Sequence, residues 1–176
     1  MGKRANYQYY VEGKDEKKLL DVLKMDLNCI ESGKVDIFNA IQQRFVVTHI
    51  RPLKENTIVV LVYDTDVENT DIFRQNVTFL NSQKAIKEVI CSPQVKNLED
   101  ELRYSCRIKS IGELTHSGTV KDYKRDFIRC SNLAVRLNQC DFNISKFWSR
   151  IPENEFKAWG NDAYKIKQKK EPPCST

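Results

Sequence analysis

The run Thr57-Ile58-Val59-Val60-Leu61-Val62-Tyr63 constrains the fold more than any other stretch of this chain. A strand with one solvated face alternates apolar and polar residues, and an amphipathic helix repeats its apolar positions every three or four. This run does neither. A nearly continuous β-branched segment reads as a strand buried on both faces, as found in a parallel sheet covered by helices on each side. It ends at Asp64-Thr65-Asp66, so two carboxylates stand one residue apart where the backbone leaves the sheet.

The flanking sequence supplies partners for such a strand. Asn6-Tyr7-Gln8-Tyr9-Tyr10-Val11 is rich in aromatic residues and ends at Glu12-Gly13, which predicts a strand. Asp15 suits an N-cap, with Glu16 favouring the positive end of the helix dipole. A helix then runs from Lys17 to about Leu27, with Leu19, Leu20, Leu23 and Leu27 on one face. Val35 to Phe38 predicts a second strand. The segment Ile41 to Arg51 points two ways: Phe45-Val46-Val47 suits a strand, Asn39 followed by Ile41 and Gln42 suits a helix start, and Pro52 ends either. A helix over Asp71 to Ser82 carries Ile72, Phe73, Val77 and Leu80. A strand over Ala85 to Ile90 is closed by Ser92-Pro93, and helix-like stretches follow at Asn97 to Cys106, Lys121 to Asn138 and Ser145 to Arg150.

Strands alternating with helices predict an α/β fold built from parallel βαβ units, with helices on both faces of the sheet. The core is expected over residues 1–95, a helical extension packed on it over 96–165, and a basic flexible tail containing Pro172-Pro173 over 166–176. At 176 residues this is one domain with its extension. The longest apolar run falls well short of a membrane span. The N-terminal residues lack a secretory apolar region, and Asn6 does not fit a myristoylation signal. The chain is therefore expected in the cytoplasm. Its six cysteines contain no Cys-x-x-Cys, and with only two histidines they make no zinc site; they read as reduced, mostly packed thiols. No Ser-His-Asp triad or phosphate-cradling glycine loop can be assembled. The oligomeric state is open, a homodimer included.

Ligands of open parallel sheets gather at the carboxyl ends of the strands, and both acidic motifs fall at such ends. Glu12 with Asp64 and Asp66 would form an oxygen-rich, electronegative pocket. Hard Mg²⁺ (or Mn²⁺) suits it, taking a few carboxylates and keeping waters for phosphate oxygens. The plainer alternative is that Asp64 and Asp66 cap the following helix while Glu12 faces solvent. A separation of Glu12 from Asp64 beyond about 10 Å would point instead to a different α/β domain whose acidic loop serves another phosphate-transfer reaction, since direct Mg²⁺–oxygen ligation spans only about 2 Å.

Tyr10-Val11-Glu12-Gly13-Lys14-Asp15-Glu16 and Leu61-Val62-Tyr63-Asp64-Thr65-Asp66 together resemble the two acidic motifs of the TOPRIM fold, over about residues 5 to 95. Many members carry Gly three positions after the second aspartate, where this chain has Asn69, which also tolerates a left-handed backbone. With no room for a topoisomerase tyrosine domain or a primase template domain, the chain looks most like small stand-alone TOPRIM nucleases: the overcoming-lysogenization-defect, RloB-like and phage-defence effector groups. The resemblance implies Mg²⁺-dependent cleavage of DNA or RNA, often under control of a partner ATPase. It implies Glu12 as acid/base or metal-linked glutamate, and Asp64 and Asp66 as metal ligands.

Further candidates surround these three. Glu16, one turn beyond Glu12, either joins the metal ligands or only steadies its helix. Glu68 is close in sequence to the aspartate pair. Glu99 lies in an acidic first helical turn where related nucleases place another acidic residue. Lys124 is the candidate stabiliser of transition-state charge. Lys14, Lys121, Lys124 and Arg125 are candidate nucleic-acid contacts, and the mild net charge of +5 permits such binding without demanding it. Phe147, Trp148 and Trp159 are expected in the core.

Overall fold

Alternate side chains of a strand point to opposite faces, and in the run Ile58 to Tyr63 of this protein both sets are apolar. The computed structural model describes residues 5–168. In chain order it places β1 (Asn6–Val11), α1 (Lys14–Met25), β2 (Gly33–Ile37), the single turn α2 (Val47–Ile50), β3 (Thr57–Asp64), α3 (Asp71–Asn81) and β4 (Ile86–Gln94). The strands form one four-stranded sheet, parallel throughout, in the order β2-β1-β3-β4. After it come α4 (Leu98–Ser105), α5 (Gly112–Thr115), α6 (Val120–Arg129) and α7 (Leu133–Gln139), then 3₁₀ turns at Glu155–Trp159 and Ala163–Lys165.

The burial of β3 follows from its position: every residue from Thr57 to Tyr63 is buried. Tyr9, Val11, Ile58, Val60 and Val62 face Leu19 and Leu23 of α1 and the buried residues of α4, α6 and α7. Tyr10, Val59, Leu61 and Tyr63 face Phe73 and Leu80 of α3, together with Phe45 and Phe156. The expected α/β class, a parallel sheet flanked by helices, is the fold adopted. The segment after β4 shares the first of these two clusters with α1, so it packs on the sheet rather than standing apart.

A buried ion pair ties the end of that segment down. Glu101, fully buried, accepts from the Arg150 guanidinium at 2.8 Å and from the backbone N–H groups of Val95 and Trp148 at 3.0 and 3.1 Å. Arg150 also meets Asp100 at 2.9 Å and lies over the Tyr104 ring.

Several local expectations need correcting. α1 begins at Lys14, with Gly13 rather than Asp15 at the N-cap position, because the Asp15 side chain is buried inside the fold. β4 runs past Ser92-Pro93 to Gln94; it is an edge strand, where a missing N–H can leave no ladder bond open. The 41–51 segment is neither long helix nor strand. Asn39 Oδ1 accepts from the Ile41 and Gln42 amides at 2.9 and 3.1 Å, and buried Asn76 binds the backbone of Ala40, Gln43 and Phe45. Val46 and Val47 are left exposed. The stretch 121–138 breaks into α6 and α7, and residues 144–148 form turns with Trp148 at φ 51°. Asn69 does not take a left-handed backbone; its Oδ1 accepts from the Asp71 N–H at 2.8 Å. Ile166 is buried and Lys167 bridges Ile30, so the first residues of the expected tail belong to the fold. Residues 169–176, with Lys169, Lys170 and Cys174, lie outside the described residues, as do Lys3 and Arg4. Cys91, Cys106, Cys130 and Cys140 stand as thiols. Among the described residues no helix is long and apolar enough to cross a membrane.

Candidate functional site

In a parallel sheet all strands end at one edge. β1 connects through α1 to β2 on one side, and the chain then crosses to β3 on the other side of β1. The connections diverge between β1 and β3, which is where a crevice opens in such sheets. Glu12 follows β1 and Asp64 ends β3, one on each side of that boundary. They meet: Glu12 Oε1 accepts the Asp64 N–H at 3.1 Å, and the Asn39 amide donates to Glu12 Oε2 at 3.3 Å. Asp64 is paired in register with Gln94 on β4, whose side-chain amide donates to Asp64 Oδ1 at 2.6 Å. Fully buried Gln94 is itself held by the Trp148 indole N–H at 3.5 Å.

Around this contact the carboxylates repel one another in a poorly hydrated place. Burial, then the charge of Glu12, pushes Asp64 up to about 8 against the Gln94 hydrogen bond, with Asp66 and Glu99 adding to the rise. Glu16 is pushed up to about 9 by burial, then by its hydrogen bond to Asp15 and the Asp15 charge, with Asp64 contributing. Burial likewise raises Glu12, although the Asp64 N–H and Lys124 pull the other way. Burial and mutual repulsion thus favour the protonated forms of Asp64 and Glu16, and a bound cation would favour the ionised ones.

The Glu-Gly junction has a steric reason. A Cβ on Gly13 would stand 2.8 Å from Asp15 Oδ1 and 3.0 Å from Glu16 Oε2. The φ of −144° at Gly13 suits any residue, so it is space for the two carboxylates that calls for glycine. Asp15 Oδ2, Glu16 Oε2 and the Tyr123 hydroxyl are all buried and take no hydrogen bond. Lys124 covers this group from α6, its ammonium 3.6 Å from Asp15 Oδ2 and 3.6 Å from Glu99 Oε1. Burial pulls the Lys124 ammonium down, but Asp15 and Glu99 outweigh it and hold it above the usual lysine range.

Glu12, Asp64, Asp66, Glu16, Glu99 and Lys124 therefore gather at one end of the sheet, Asp66 and Lys124 as the exposed members. The other candidates do not join them. Glu68 lines a separate shallow hollow with Glu155. Lys14 and Lys121 are exposed and do not line the cleft that opens at Asp64. Arg125 is engaged by Asp122 and Asp126 of its own helix at 3.1 and 3.0 Å, so its charge is spent locally. Phe147 and Trp148 are in the core as expected, and Trp159 is half-buried. Three residues that shape the site escaped the sequence reading. Asp15 was hidden by its fitness as an N-cap, Gln94 by the proline before it, and Asn39 by its place in an undecided segment.

The donors are all oxygen, and two buried carboxylate oxygens lack hydrogen bonds, which suits a hard divalent cation. The side chains are not drawn up around one: among the described residues no set of three or more His, Cys, Asp or Glu stands as a ready-made metal shell. Binding would have to pull Asp64 or Glu12 from present hydrogen bonds and release protons. Compared with known proteins, the chain matches no family model, no curated protein and no solved structure.

Proposed function

We propose that this chain is a cytoplasmic nuclease dependent on Mg²⁺ or Mn²⁺, with a TOPRIM-like core, that cleaves phosphodiester bonds of DNA or RNA as a phage-defence effector beside a partner ATPase. The observation that carries this reading is the contact of Glu12 with Asp64 at the β1/β3 boundary, amid Asp66, Glu16, Glu99 and Lys124. The defence setting, the ATPase and the TOPRIM assignment rest on the motif resemblance.

Asp64 and Asp66 would hold the ion from the end of β3, with Glu16 and Glu99 as further carboxylates. Bound Mg²⁺ would supply positive charge to the phosphoryl oxygens and polarise an attacking water. Glu12, raised by burial and in hydrogen-bond contact with Asp64, would accept the proton of the attacking water. Lys124, 64% exposed and anchored by Asp15 and Glu99, presents a cation toward charge developing on the phosphate. Gln94 keeps Asp64 aimed into the crevice.

A second reading, a nucleic-acid-holding subunit without turnover, is favoured by one observation: the exposed cations Lys96, Arg103 and Lys109 that line the cleft beside Asp64. Incubation with Mg²⁺ or Mn²⁺ and a panel of single- and double-stranded DNA and RNA separates the two. Cleavage is expected, abolished by Glu12→Gln and by Asp64→Asn with the fold retained. Cleavage that survives both substitutions removes the assignment, and metal binding without cleavage of any substrate, partner present, favours the holding role.

A further inference from the structure

Lys96 sits in a left-handed backbone conformation, φ 66°, between β4 and α4. That region suits glycine or asparagine and strains a long side chain, so a lysine there calls for an explanation. Its backbone is fastened to the aspartate loop on both sides: Thr65 N–H donates to Lys96 O at 2.9 Å, and Lys96 N–H donates to Thr65 Oγ1 at 3.0 Å. The side chain is exposed, makes no ion pair, and lines a cleft of about 720 Å³ that has Asp64 and Asp66 at one end. The same cleft is lined by Arg103 and Lys109, both exposed. Arg103 follows Glu99 by four residues on α4, one helical turn farther along the same face. Although Glu99 and Asp100 also line this cleft, none of the ion pairs among the described residues uses Lys96, Arg103 or Lys109.

We infer that Lys96, Arg103 and Lys109 form a binding rail for the backbone phosphates of a single nucleic-acid strand, leading it to the carboxylates. The nature of the ligand rests on the nuclease reading; the rail rests on the three unpaired cations and the strained lysine. No aromatic side chain lines the cleft, so bases find no stacking platform. Recognition is thus through phosphates, indifferent to sequence and sensitive to salt. DNA and RNA strands share this chemistry and are separate arms of the test.

The test is binding of fluorescein-labelled single-stranded DNA and RNA oligonucleotides of one sequence, by anisotropy in EDTA over a salt series. The wild-type chain should bind, with log affinity falling linearly in log salt. The triple variant K96A/R103A/K109A should lower the slope by about 2, each phosphate contact on a single strand contributing about 0.7. It should weaken binding at least tenfold at moderate salt. The control triple R74A/K84A/K87A, from exposed cations of α3 and the β4 region, should bind as wild type. Lys96→Gly should weaken binding while leaving the melting temperature unchanged or higher, which a structural role would not produce. The rail is overturned if wild type fails to bind either strand, if the control triple weakens binding as much as the cleft triple, or if the cleft triple binds normally. Binding through the rail with no cleavage under any metal upholds the rail and removes the nuclease; cleavage that the cleft triple leaves intact does the reverse.

Discussion

Two groups of buried carboxylates in this protein are treated in opposite ways. Glu101 is fully buried and fully answered, by Arg150 and by two backbone N–H groups. Asp15 and Glu16, nearly as buried, each keep an oxygen with no hydrogen bond, and Asp64 beside them shares its pocket with Glu12. The first arrangement is that of a strut. The second leaves buried oxygens without hydrogen bonds and relies on the single, largely exposed Lys124, and such under-satisfied clusters concentrate at functional sites. Burial alone does not separate the two; the partners do.

Breaking the strut gives the largest expected effect. Arg150→Met leaves Glu101 buried without its cation and should destabilise the fold by about 3–5 kcal/mol in urea titration at pH 8. Without Arg150, burial raises Glu101 further, so it is protonated in the folded chain over a range where the unfolded chain has ionised. The loss should therefore shrink as pH falls toward 5. A loss below about 1 kcal/mol would remove the contrast drawn here.

The acidic end should answer with the opposite sign. Asp64→Asn removes repulsion rather than an answered charge, and should stabilise the chelated protein by roughly 1–2 kcal/mol at pH 8, while abolishing Mg²⁺-dependent stabilisation. The wild-type pH dependence follows from the same shifts. Asp64 and Glu16 have folded values of about 8 and about 9, raised from 3.8 and 4.5. Between those limits the folded chain binds protons that the unfolded chain has lost, so stability is greatest in acid and falls as pH rises toward 9. In EDTA the melting temperature should drop steadily from pH 5 to 9, less steeply in D64N. Mg²⁺ should restore more stability at pH 8.5 than at pH 6, since its binding must expel fewer protons. A flat profile in EDTA would show that these carboxylates are not under-compensated.

Gly13→Ala is a milder intrusion into the same pocket. The new methyl must push Asp15 and Glu16 by a few tenths of an ångström. A stability change near 1 kcal/mol is expected, with a larger proportional loss of metal-dependent activity. Equal losses of both would make Gly13 a packing residue only.

How far this contrast could be read in advance depended on range. β3 and its terminal aspartates were legible because the apolar run has one plausible environment, and Glu12 because it ends the second such strand. The parallel order then brings these ends together without further information. Gln94 was not legible: a strand containing Pro93 reads as finished, and only its edge position lets it continue to pair with Asp64. Asp15 looked like a cap because capping is local, whereas its partner Lys124 lies far along the chain. The break between α6 and α7 and the turns around Trp148 are set by tertiary packing against a shared apolar cluster, which overrides helical periodicity.

The smallest change offers the finest discrimination. The Tyr123 hydroxyl is buried without a hydrogen bond, among Glu99, Asp15 and Glu16. If it belongs to a strut like that around Glu101, its removal should cost stability; if it belongs to a site awaiting a ligand, the metal-free protein gains nothing from it. Tyr123→Phe keeps the ring packed against Phe127 and deletes only the oxygen. It should therefore be neutral, or stabilising by up to about 1 kcal/mol, in EDTA. With Mg²⁺ present the same variant should bind the ion several-fold more weakly by calorimetry, because a hydrated cation held by these carboxylates brings water within reach of the hydroxyl. Destabilisation in EDTA with unchanged Mg²⁺ affinity would return Tyr123 to the structural side of the comparison, and its three acidic neighbours with it.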